Sequence, residues 1–505
     1  MRPALLTLFF CLLAIGRSDA EDVISIGHYR QMFIDDYLIA ETDNITRRLC
    51  PVNKHPDNPV VRPDRSWERQ LAVPQGSVIY DEEDRIYKMW YTTNVQSKGE
   101  GETFNKGKGL AYAISEDGVQ WEKPDLNIVL EGNDKTNQVI APMEFGYMYQ
   151  PYFVIKDKKE TDPARRYKMA FLSIQRHLTD RETTSHPGTR RGTGIAFSPD
   201  GLHWIKVRDF ASDELIDISH FMVDPYRDDE FVIYGRTLQV SPEIREAWQH
   251  HDWFDSVYGG RAVIRSTSRD FLNWEPAEFI MGPDLKDPPS TEIYSMNVFP
   301  YEGIYLGLVQ RYLCRPDTST IDIQLAVSRD GIHFERPFRE AFFPLGSVGT
   351  WDRFQLHNMS GPPLLQEDEL RFYYGGRTSR HRPNKMADAK PGGAIGLATL
   401  QKDRFVAVEA SFDGGSLTTK PLRFDGAAFK VNCDTSFGTL RIRILDKDGR
   451  ALEGYEATIE GVDALEHSVD FDRPISNLGE QPVRVEFTLA NARLYAFSVQ
   501  ELPAQ

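Results

Sequence analysis

The sequence predicts an all-β chain, a five-bladed β-propeller followed by a small C-terminal β-sandwich. A hairpin pattern, Ser-x-Asp-Gly-x-x-Trp/Phe, returns along the chain. Apolar and polar residues alternate around each copy, which indicates short antiparallel strands. The copies are widely and fairly evenly spaced, as in repeat folds whose units pack side by side. The copies are Leu325–Arg336, Tyr112–Lys123, Ile195–Lys206, the looser Ile264–Glu275 and the worn Ile395–Phe405.

Each blade is predicted to contain four strands, and Gln31–Ile39 is predicted as an earlier strand that closes the ring. The aromatic residues that end the fourth strands, such as Trp204 and Phe334, are predicted to pack between blades. The predicted strands are 76–80, 87–92, 109–114 and 120–122 in blade one; 152–155, 167–173, 193–197 and 203–207 in blade two; 221–223, 231–236, 262–266 and 273–275 in blade three; 294–299, 304–310, 323–327 and 333–335 in blade four; and 362–365, 370–375, 394–398 and 405–408 in blade five.

Composition and the N-terminal residues indicate which partners and which location to expect for the protein. The net charge of −16 argues against a nucleic-acid partner, although it does not exclude a local basic pocket. Met1–Ala20 has the positive start, apolar run and small-residue end of a secretory signal, so a secreted or periplasmic protein is expected. No later stretch is long enough to span a bilayer. The predicted domains are residues 1–20 (signal peptide), 21–411 (propeller) and 412–505 (sandwich).

Three cysteines remain after the predicted signal, Cys50, Cys314 and Cys433. Three cysteines cannot form a disulfide framework, so at most one bridge is expected and free buried thiols are favoured. No metal-binding or phosphate-binding motif is present, and no cofactor is expected. A structural Ca²⁺ in the central channel is left open.

Long polar insertions separate the second and third strands of three blades. They are Gly99–Lys108, Thr179–Gly192 and Thr378–Gly393. Long loops at one end of a repeat fold usually shape a binding site, and a disordered surface insertion is the alternative for each.

The hairpins, together with YKMWY at Tyr87–Tyr91 and RYKMAF at Arg166–Phe171, resemble a known superfamily. It is that of the five-bladed propeller glycoside hydrolases of the arabinanase, levansucrase and invertase type, which includes glycoside hydrolase families 32, 43, 68 and 130. The resemblance covers roughly Gln31–Ala410. It implies a secreted enzyme that hydrolyses poly- or oligosaccharides, and a C-terminal sandwich that is structural or binds carbohydrate.

The catalytic signatures of that superfamily are altered here. At the start of blade one, where the family has an Asp, Trp67–Gly76 contains only the acid Glu68. In blade two Gln150 replaces the family's second acid. These departures leave open a non-catalytic, carbohydrate-binding propeller. A third hypothesis is a scaffold propeller, which would present a flat apolar patch.

Glycoside hydrolysis normally needs two carboxyl groups that face the scissile bond. The residues just before each first strand are expected to reach the central pocket. Glu292 is followed by Tyr294 and Met296, an apolar setting that raises a carboxyl pKa and suits a general acid. Asp217 is the preferred base and Glu68 a third acid. The five acids at these positions are Glu68, Glu144, Asp217, Glu292 and Asp352.

Three arginines end the second strands of blades three to five: Arg236, Arg311 and Arg377. If the blades superpose, the guanidinium groups converge and favour an anionic sugar, such as a uronate or a sulfated galactan. Pairing with blade acids, including Asp217 or Asp352, is the equally weighted alternative. His220 and His357 are further substrate-binding candidates beside Gln150 and Asp352, although a structural role is favoured for both histidines.

Overall fold

The computed structural model of the chain describes residues 23–96, 106–141, 144–145, 150–176, 189–215, 217–254, 258–315, 317–357, 361–381 and 392–501. Strands make up most of the regular structure in these ranges, and a single α-helix, α1, spans Pro242–Trp248. The predicted all-β class is confirmed. No helix in the described ranges is both long and apolar enough to cross a membrane.

The chain divides into two compact units. The larger unit contains Arg30–Asp35 and Arg47–Val408, and therefore holds every copy of the hairpin. The smaller unit contains the segment that ends at Tyr29, Asp36–Thr46 and the chain from Glu409 onward.

The strands are numbered in chain order. Before the first repeat lie β1 (Ile24–Ser25), β2 (Gln31–Met32), β3 (Ile39–Asp43), β4 (Thr46–Leu49) and β5 (Asn53–Lys54). Repeat 1 has β6 (Ala72–Asp81), β7 (Ile86–Gln96), β8 (Lys106–Ser115), β9 (Leu126–Glu131), β10 (Asp134–Thr136) and β11 (Gln138–Ile140). Repeat 2 has β12 (Gln150–Lys156), β13 (Tyr167–Arg176), β14 (Thr189–Ser198) and β15 (Ile205–Ser212). Repeat 3 has β16 (Ser219–Asp224), β17 (Glu230–Leu238), β18 (Arg261–Ser268) and β19 (Glu278–Met281).

Repeat 4 has β20 (Thr291–Tyr301), β21 (Ile304–Leu313), β22 (Thr320–Ser328) and β23 (Phe334–Glu335). Repeat 5 has β24 (Gln355–His357), β25 (Leu364–Gln366), β26 (Glu369–Arg377) and β27 (Gly393–Gln401). The rest of the chain forms β28 (Val406–Ala410), β29 (Gly415–Thr419), β30 (Leu422–Arg423), β31 (Ala428–Asp434), β32 (Thr439–Asp446), β33 (Ala451–Glu460), β34 (Asp463–Ser468), β35 (Val483–Ala490) and β36 (Ala492–Gln500).

The first three repeats each form a four-stranded antiparallel sheet. Their strand orders are β6-β7-β8-β11, β12-β13-β14-β15 and β16-β17-β18-β19. Repeats 4 and 5 share a nine-stranded sheet of order β20-β21-β22-β24-β26-β27-β5, in which β23 pairs with β22 and β25 with β26. The first strand of repeat 5 is therefore split into β24 and β25, both antiparallel to β26.

The edge of repeat 5 is completed by a strand from the start of the chain. The predictions were wrong here, because β5 and not Gln31–Ile39 pairs with β27. The predicted fourth strand, Phe405–Val408, overlaps β28, which belongs to the sheet of order β34-β31-β36-β28-β4. The Asn58 side chain donates to the Leu397 carbonyl and accepts from the Leu397 N–H, at 2.8 Å each. Bonds between residues so far apart in sequence leave no local pattern to recognise.

Two other fourth strands lie later than predicted. In repeat 1, Gln120–Glu122 makes one bridge, between Ile114 and Glu122, and β11 takes the edge. In repeat 3, β19 begins at Glu278, after the predicted Asn273–Glu275.

The repeated hairpin is held by its Ser and Asp side chains. In repeat 2, Ser198 Oγ accepts the N–H of Gly201 at 2.9 Å, and Asp200 Oδ1 accepts those of Leu202 and His203 at 2.8 Å each. Burial alone would raise the pKa of Asp200, but these donors outweigh it and hold that pKa at about 2. Equivalent turns form around Asp117, Asp270 and Asp330.

An aromatic side chain from a neighbouring repeat binds three of these turns. Trp90 Nε1 of repeat 1 donates to the Gly201 carbonyl of repeat 2 at 2.7 Å. Tyr234 Oη of repeat 3 donates to the Gly331 carbonyl of repeat 4 at 2.7 Å. Tyr373 Oη of repeat 5 donates to the Gly118 carbonyl of repeat 1 at 2.8 Å, so the last repeat packs on the first.

The aromatic residues that end the hairpin pattern pack beside these contacts. Trp121 lies edge-on to Tyr373 at 5.7 Å, and Phe334 lies edge-on to Tyr234 at 5.9 Å. Trp204 and Trp274 belong to apolar clusters that join repeats 1 with 2 and 2 with 3. These side chains pack between repeats, as the sequence predicts.

In the smaller unit, the chain after residue 412 forms strands β29 to β36. One sheet has the order β1-β30-β35-β29-β3 and continues from β35 through β32 to β33. In β35 burial alternates, with Val483, Val485, Phe487 and Leu489 buried, so one face of this sheet is packed.

We expect Gly118→Ala to destabilise the larger unit more than Gly132→Ala. Both glycines have a positive φ, which costs a non-glycine residue about 1–2 kcal/mol. A Cβ at Gly118 would lie 2.6 Å from Tyr373 Oη, whereas one at Gly132 meets nothing within 4 Å. Overpacking should add about 1–3 kcal/mol at Gly118. Denaturant unfolding of both variants measures the difference in the free energy of unfolding. Equal losses would show that the contact of Tyr373 with Gly118 does not stabilise the packing of repeat 5 on repeat 1.

Candidate active site

The five acids predicted to face the centre occupy different environments. Glu68 is fully buried. Its Oε1 accepts from Tyr91 Oη at 2.6 Å, and its Oε2 accepts the backbone N–H groups of Asp64 and Arg65 at 2.9 Å and Lys123 Nζ at 2.8 Å. This carboxylate fixes the chain where it enters repeat 1, and all its donors come from the protein.

Asp352 and Glu144 are also engaged locally. Asp352 is buried, and its Oδ2 binds Lys54 Nζ at 2.6 Å and Tyr374 Oη at 3.1 Å. It therefore ties β5 to repeat 5. Glu144 is exposed and accepts the Ala141 N–H at 2.7 Å.

Glu292 lies on β20 and is fully buried. Its Oε1 accepts the N–H groups of Gly259 and Gly260, the latter at 3.0 Å, and its Oε2 binds the Arg261 guanidinium. These three donors come from consecutive residues, so the surroundings of Glu292 differ from the apolar setting expected from Tyr294 and Met296.

Asp217 combines an ion pair with access to solvent. It lies just before β16, its side chain is 22% exposed, and it binds the Arg236 guanidinium. Burial alone would raise the pKa of Asp217, but Arg236, the Ile218 N–H and Arg191 lower it below its usual value. Asp217 is therefore a stable carboxylate at neutral pH.

Further cations from other repeats act on Asp217 or on one another. Lys108 lies on β8 in repeat 1, Arg191 lies on β14 in repeat 2, and Arg377 ends β26 in repeat 5. Burial, the larger cause, and Arg377 together lower the pKa of the Lys108 amine to about 7, against the opposing effect of Asp217. We call Lys108, Arg191, Asp217, Arg236 and Arg377 the axial cluster.

The predicted arginines are only partly brought together. Arg236 and Arg377 belong to the axial cluster, but Arg311 forms a fork with Asp322, with Nε–Oδ1 at 3.0 Å and Nη2–Oδ2 at 2.5 Å. Arg311 also donates to the Arg339 carbonyl at 3.3 Å. Arg311 therefore follows the alternative prediction, in which each arginine pairs with an acid of a blade. Arg236 follows both predictions, because it pairs with Asp217 and also belongs to the axial cluster.

His220 is buried beside the axial cluster. Its Nε2 lies 3.3 Å from Ser295 Oγ and its ring lies edge-on to Phe153 at 4.9 Å. Burial lowers the pKa of His220 to about 3, so the ring is neutral at neutral pH. Gln150 and His357 lie on β12 and β24, but their side chains fall outside the described part of the structure.

Sequence reasoning did not find Lys108, Arg191 or Arg261. A signal for the first two was available, because Lys108 and Arg191 each lie at the end of a predicted polar insertion, and Arg377 directly precedes the third one. The described residues of the insertions are those at their bases, where these cations lie.

A cavity of about 660 Å³ lies toward the other ends of the first strands. Its wall is apolar, with Phe153, Phe221 and Met222, and its charged groups pair with one another, as Lys156 does with Asp81. The axial cluster is the better candidate for chemistry, because it combines an exposed carboxylate with several cations.

Two features of the described residues concern metal ions and cysteine pairing. No group of three or more His, Cys, Asp or Glu side chains is placed to hold a metal ion in the described ranges. Cys50, Cys314 and Cys433 are free thiols, and the last two are buried.

No protein-family model matches the sequence, and a comparison with curated proteins finds no significant match. Solved structures give weak similarities. An N-acetylgalactosamine deacetylase from F. plautii, in complex with blood group B trisaccharide, is 16% identical over 69% of this chain and 95% of its own, with a TM-score of 0.45. The β-1,2-mannobiose phosphorylase of Listeria innocua is 9% identical over 69% of this chain and 96% of its own, with a TM-score of 0.44.

The family 32 β-fructofuranosidase of Bombyx mori is 11% identical over 90% of this chain and 95% of its own, with a TM-score of 0.39. Glycoside hydrolases occur among the matched structures. The three proteins carry out three different reactions, and similarities at this level do not select a reaction or substrate for this chain.

We expect Lys108 to react with amine-directed reagents at a lower pH than ordinary lysines do. An amine is nucleophilic only when deprotonated, so reactivity should rise through about pH 7, against about 10.4 for an unperturbed lysine. Arg377→Met removes a cation that lowers this pKa and should shift the curve to higher pH. Acetylation followed by peptide mass spectrometry measures this, with Lys158, whose side chain is 72% exposed, as the internal reference.

A reactivity curve for Lys108 that follows the one for Lys158 in the unmodified protein would contradict the described surroundings of the amine.

Proposed function

We propose that the five repeats are the blades of a five-bladed propeller and that the axial cluster is its carbohydrate-binding site. Support comes from the repeated turn, the aromatic contact from repeat 5 to repeat 1 and the family resemblance of the hairpins. The small C-terminal unit is proposed to be a sandwich, and the signal-like Met1–Ala20 supports export from the cytoplasm.

The substrate we propose is an anionic poly- or oligosaccharide. The observation that carries this proposal is a half-buried carboxylate, Asp217, that pairs with Arg236 and interacts electrostatically with Lys108 and Arg191, in a chain of net charge −16. Guanidinium groups bind carboxylate and sulfate through two parallel hydrogen bonds. Arg236 Nη1 is buried and has no hydrogen-bond partner among the described residues, so one donor of the cluster is left to pair with a ligand.

The reaction we propose is hydrolysis of a glycosidic bond, with Asp217 as the base or nucleophile. Its lowered pKa keeps it ionised, as both roles require. The proton donor we favour is Lys108, because an ammonium group with a pKa near 7 transfers its proton readily at neutral pH. Two neighbouring groups with pKa values displaced in this way form a natural acid–base pair.

Glu292 and Glu68, the acids favoured by sequence, would have to exchange their protein donors before acting on a substrate. Both carboxylates are fully buried and fully hydrogen-bonded. We therefore assign anchoring roles to both, and the substrate-binding role to Arg236, Arg377 and Arg191.

A non-catalytic carbohydrate-binding propeller is the second candidate. One observation favours it: among the four buried or half-buried axial acids, Glu68, Asp217, Glu292 and Asp352, only Asp217 keeps more than a few per cent of its side chain exposed. Hydrolysis by two carboxylates would need a second accessible acid.

The test is reducing-end release from a panel of neutral and anionic polysaccharides. If Asp217 is the base, Asp217→Asn should lower kcat by about 10²–10⁴-fold on the substrate that is cleaved. Asp213→Asn, which removes an exposed carboxylate paired with Arg190, is the matched control and should retain activity. Arg377→Met should raise KM for an anionic substrate.

Binding of an anionic glycan without release of reducing ends from any substrate would favour the second candidate. Cleavage that survives Asp217→Asn would contradict the catalytic assignment while leaving the fold proposal in place.

A further inference from the structure

Two arginines lie against the same aromatic ring. The Arg236 guanidinium lies 4.6 Å from the centre of the Tyr294 ring, and that of Arg261 lies 5.7 Å from it. Arg261 also lies 5.4 Å from the Tyr312 ring. Both guanidinium groups thus gain the attraction between a cation and an aromatic face.

Each of these arginines has a separate carboxylate partner. Arg236 pairs with Asp217, which is partly exposed, whereas Arg261 pairs with Glu292, which is fully buried. Glu292 and Asp217 therefore lie at the two ends of one connected group, Glu292–Arg261–Tyr294–Arg236–Asp217.

Glu292 also fixes the backbone that carries Arg261. The N–H groups of Gly259 and Gly260 both donate to Glu292 Oε1. Gly260 has a φ of +67°, and a Cβ at Gly259 would lie 3.0 Å from Arg261 Nη1 and 3.3 Å from Glu292 Oε1. Glycine at both positions lets the backbone approach the carboxylate this closely.

The segment that returns to Arg261 packs beside Asp217. Tyr258 lies against two apolar clusters, one formed by Ile244, Trp248 and Phe254 and the other containing Ile218 and Tyr294. Because Ile218 directly follows Asp217, the position of residues 258–261 affects the backbone that carries Asp217.

We propose that Glu292 is a positioning residue, which holds Arg261 away from Asp217 so that Asp217 keeps Arg236 as its partner and one side open to substrate. This inference rests on the proposed function of the axial cluster, because it assigns Glu292 to the support of that site and not to the reaction.

The physical reason is the cost of an unpaired buried cation. The Arg261 side chain is only 14% exposed, so loss of Glu292 would leave its charge without a buried partner. The other carboxylate of the connected group is Asp217, the partner of Arg236. A second arginine on Asp217 would compete with substrate for its oxygens and lower its basicity further.

The experiment compares Glu292→Gln with the double variant Glu292→Gln/Arg261→Gln. The single change should lower kcat/KM about 10- to 100-fold, as loss of a group that orients a functional residue commonly does. It should also move the acidic limb of the pH profile to lower pH, because an added cation favours ionised Asp217. The double variant removes the competing cation and should regain most of the activity.

A matched control is Asp81→Asn, which removes a buried carboxylate bound to Lys88 and Lys156 near the other end of β6. It should reduce stability without moving the pH profile. If the double variant is as inactive as the single variant, or if Glu292→Gln abolishes one limb of the profile, Glu292 transfers protons and the proposal fails.

A second readout separates this inference from the proposed function. Hydrogen exchange at the amides of Gly259 and Gly260 should accelerate in Glu292→Gln whether or not a substrate is found. Unchanged exchange would overturn the anchoring role. Accelerated exchange in a protein that neither cleaves nor binds any saccharide would leave Glu292 as an anchor and remove the proposed function.

Discussion

The larger unit depends on the bond between an aromatic side chain of one repeat and the glycine carbonyl of a neighbouring turn. Asp and Ser side chains first shape the turn by binding its N–H groups, which presents the glycine carbonyl outward. Trp90, Tyr234 and Tyr373 then reach across to that carbonyl. The contact of Tyr373 with Gly118 matters most, because it joins the ends of the repeat array. Without it, apolar side chains of the first and last repeats, such as Trp121 and Tyr373, would lose their packing partners.

The distribution of charge in the centre follows from the cost of burying ions. Glu68, Glu292 and Asp352 are buried, and each is bound by a cation together with backbone N–H or hydroxyl donors. Such carboxylates stabilise the segments around them, and loss of one partner is costly because the other is left charged. Asp217 differs because it keeps solvent access while Arg236 holds it ionised. Of these four acids, Asp217 is the one whose side chain is accessible to solvent, and it is therefore the one best suited to chemistry.

Sequence patterns succeeded where the cause was local. The turns around Asp117, Asp200, Asp270 and Asp330 follow from side chains two or three residues away, so they were predicted together with the strands that precede them. Prediction failed at β5 and β11, because each is selected by the free edge of a strand that is distant or separated by an insertion. Glu292 was assigned from its apolar neighbours in sequence, but its surroundings are set by Gly259, Gly260 and Arg261 from the preceding repeat.

The sequence by itself determined the all-β class, the repeats and the position of the turns. Only the tertiary structure decided which acidic and basic groups meet. It brought Lys108 and Arg191 to Asp217 from separate repeats and Arg377 to Lys108, and it directed Arg311 to Asp322 instead. The reason is that a turn is fixed by interactions within a few residues, whereas an ion pair depends on distances that exist only after the repeats have packed.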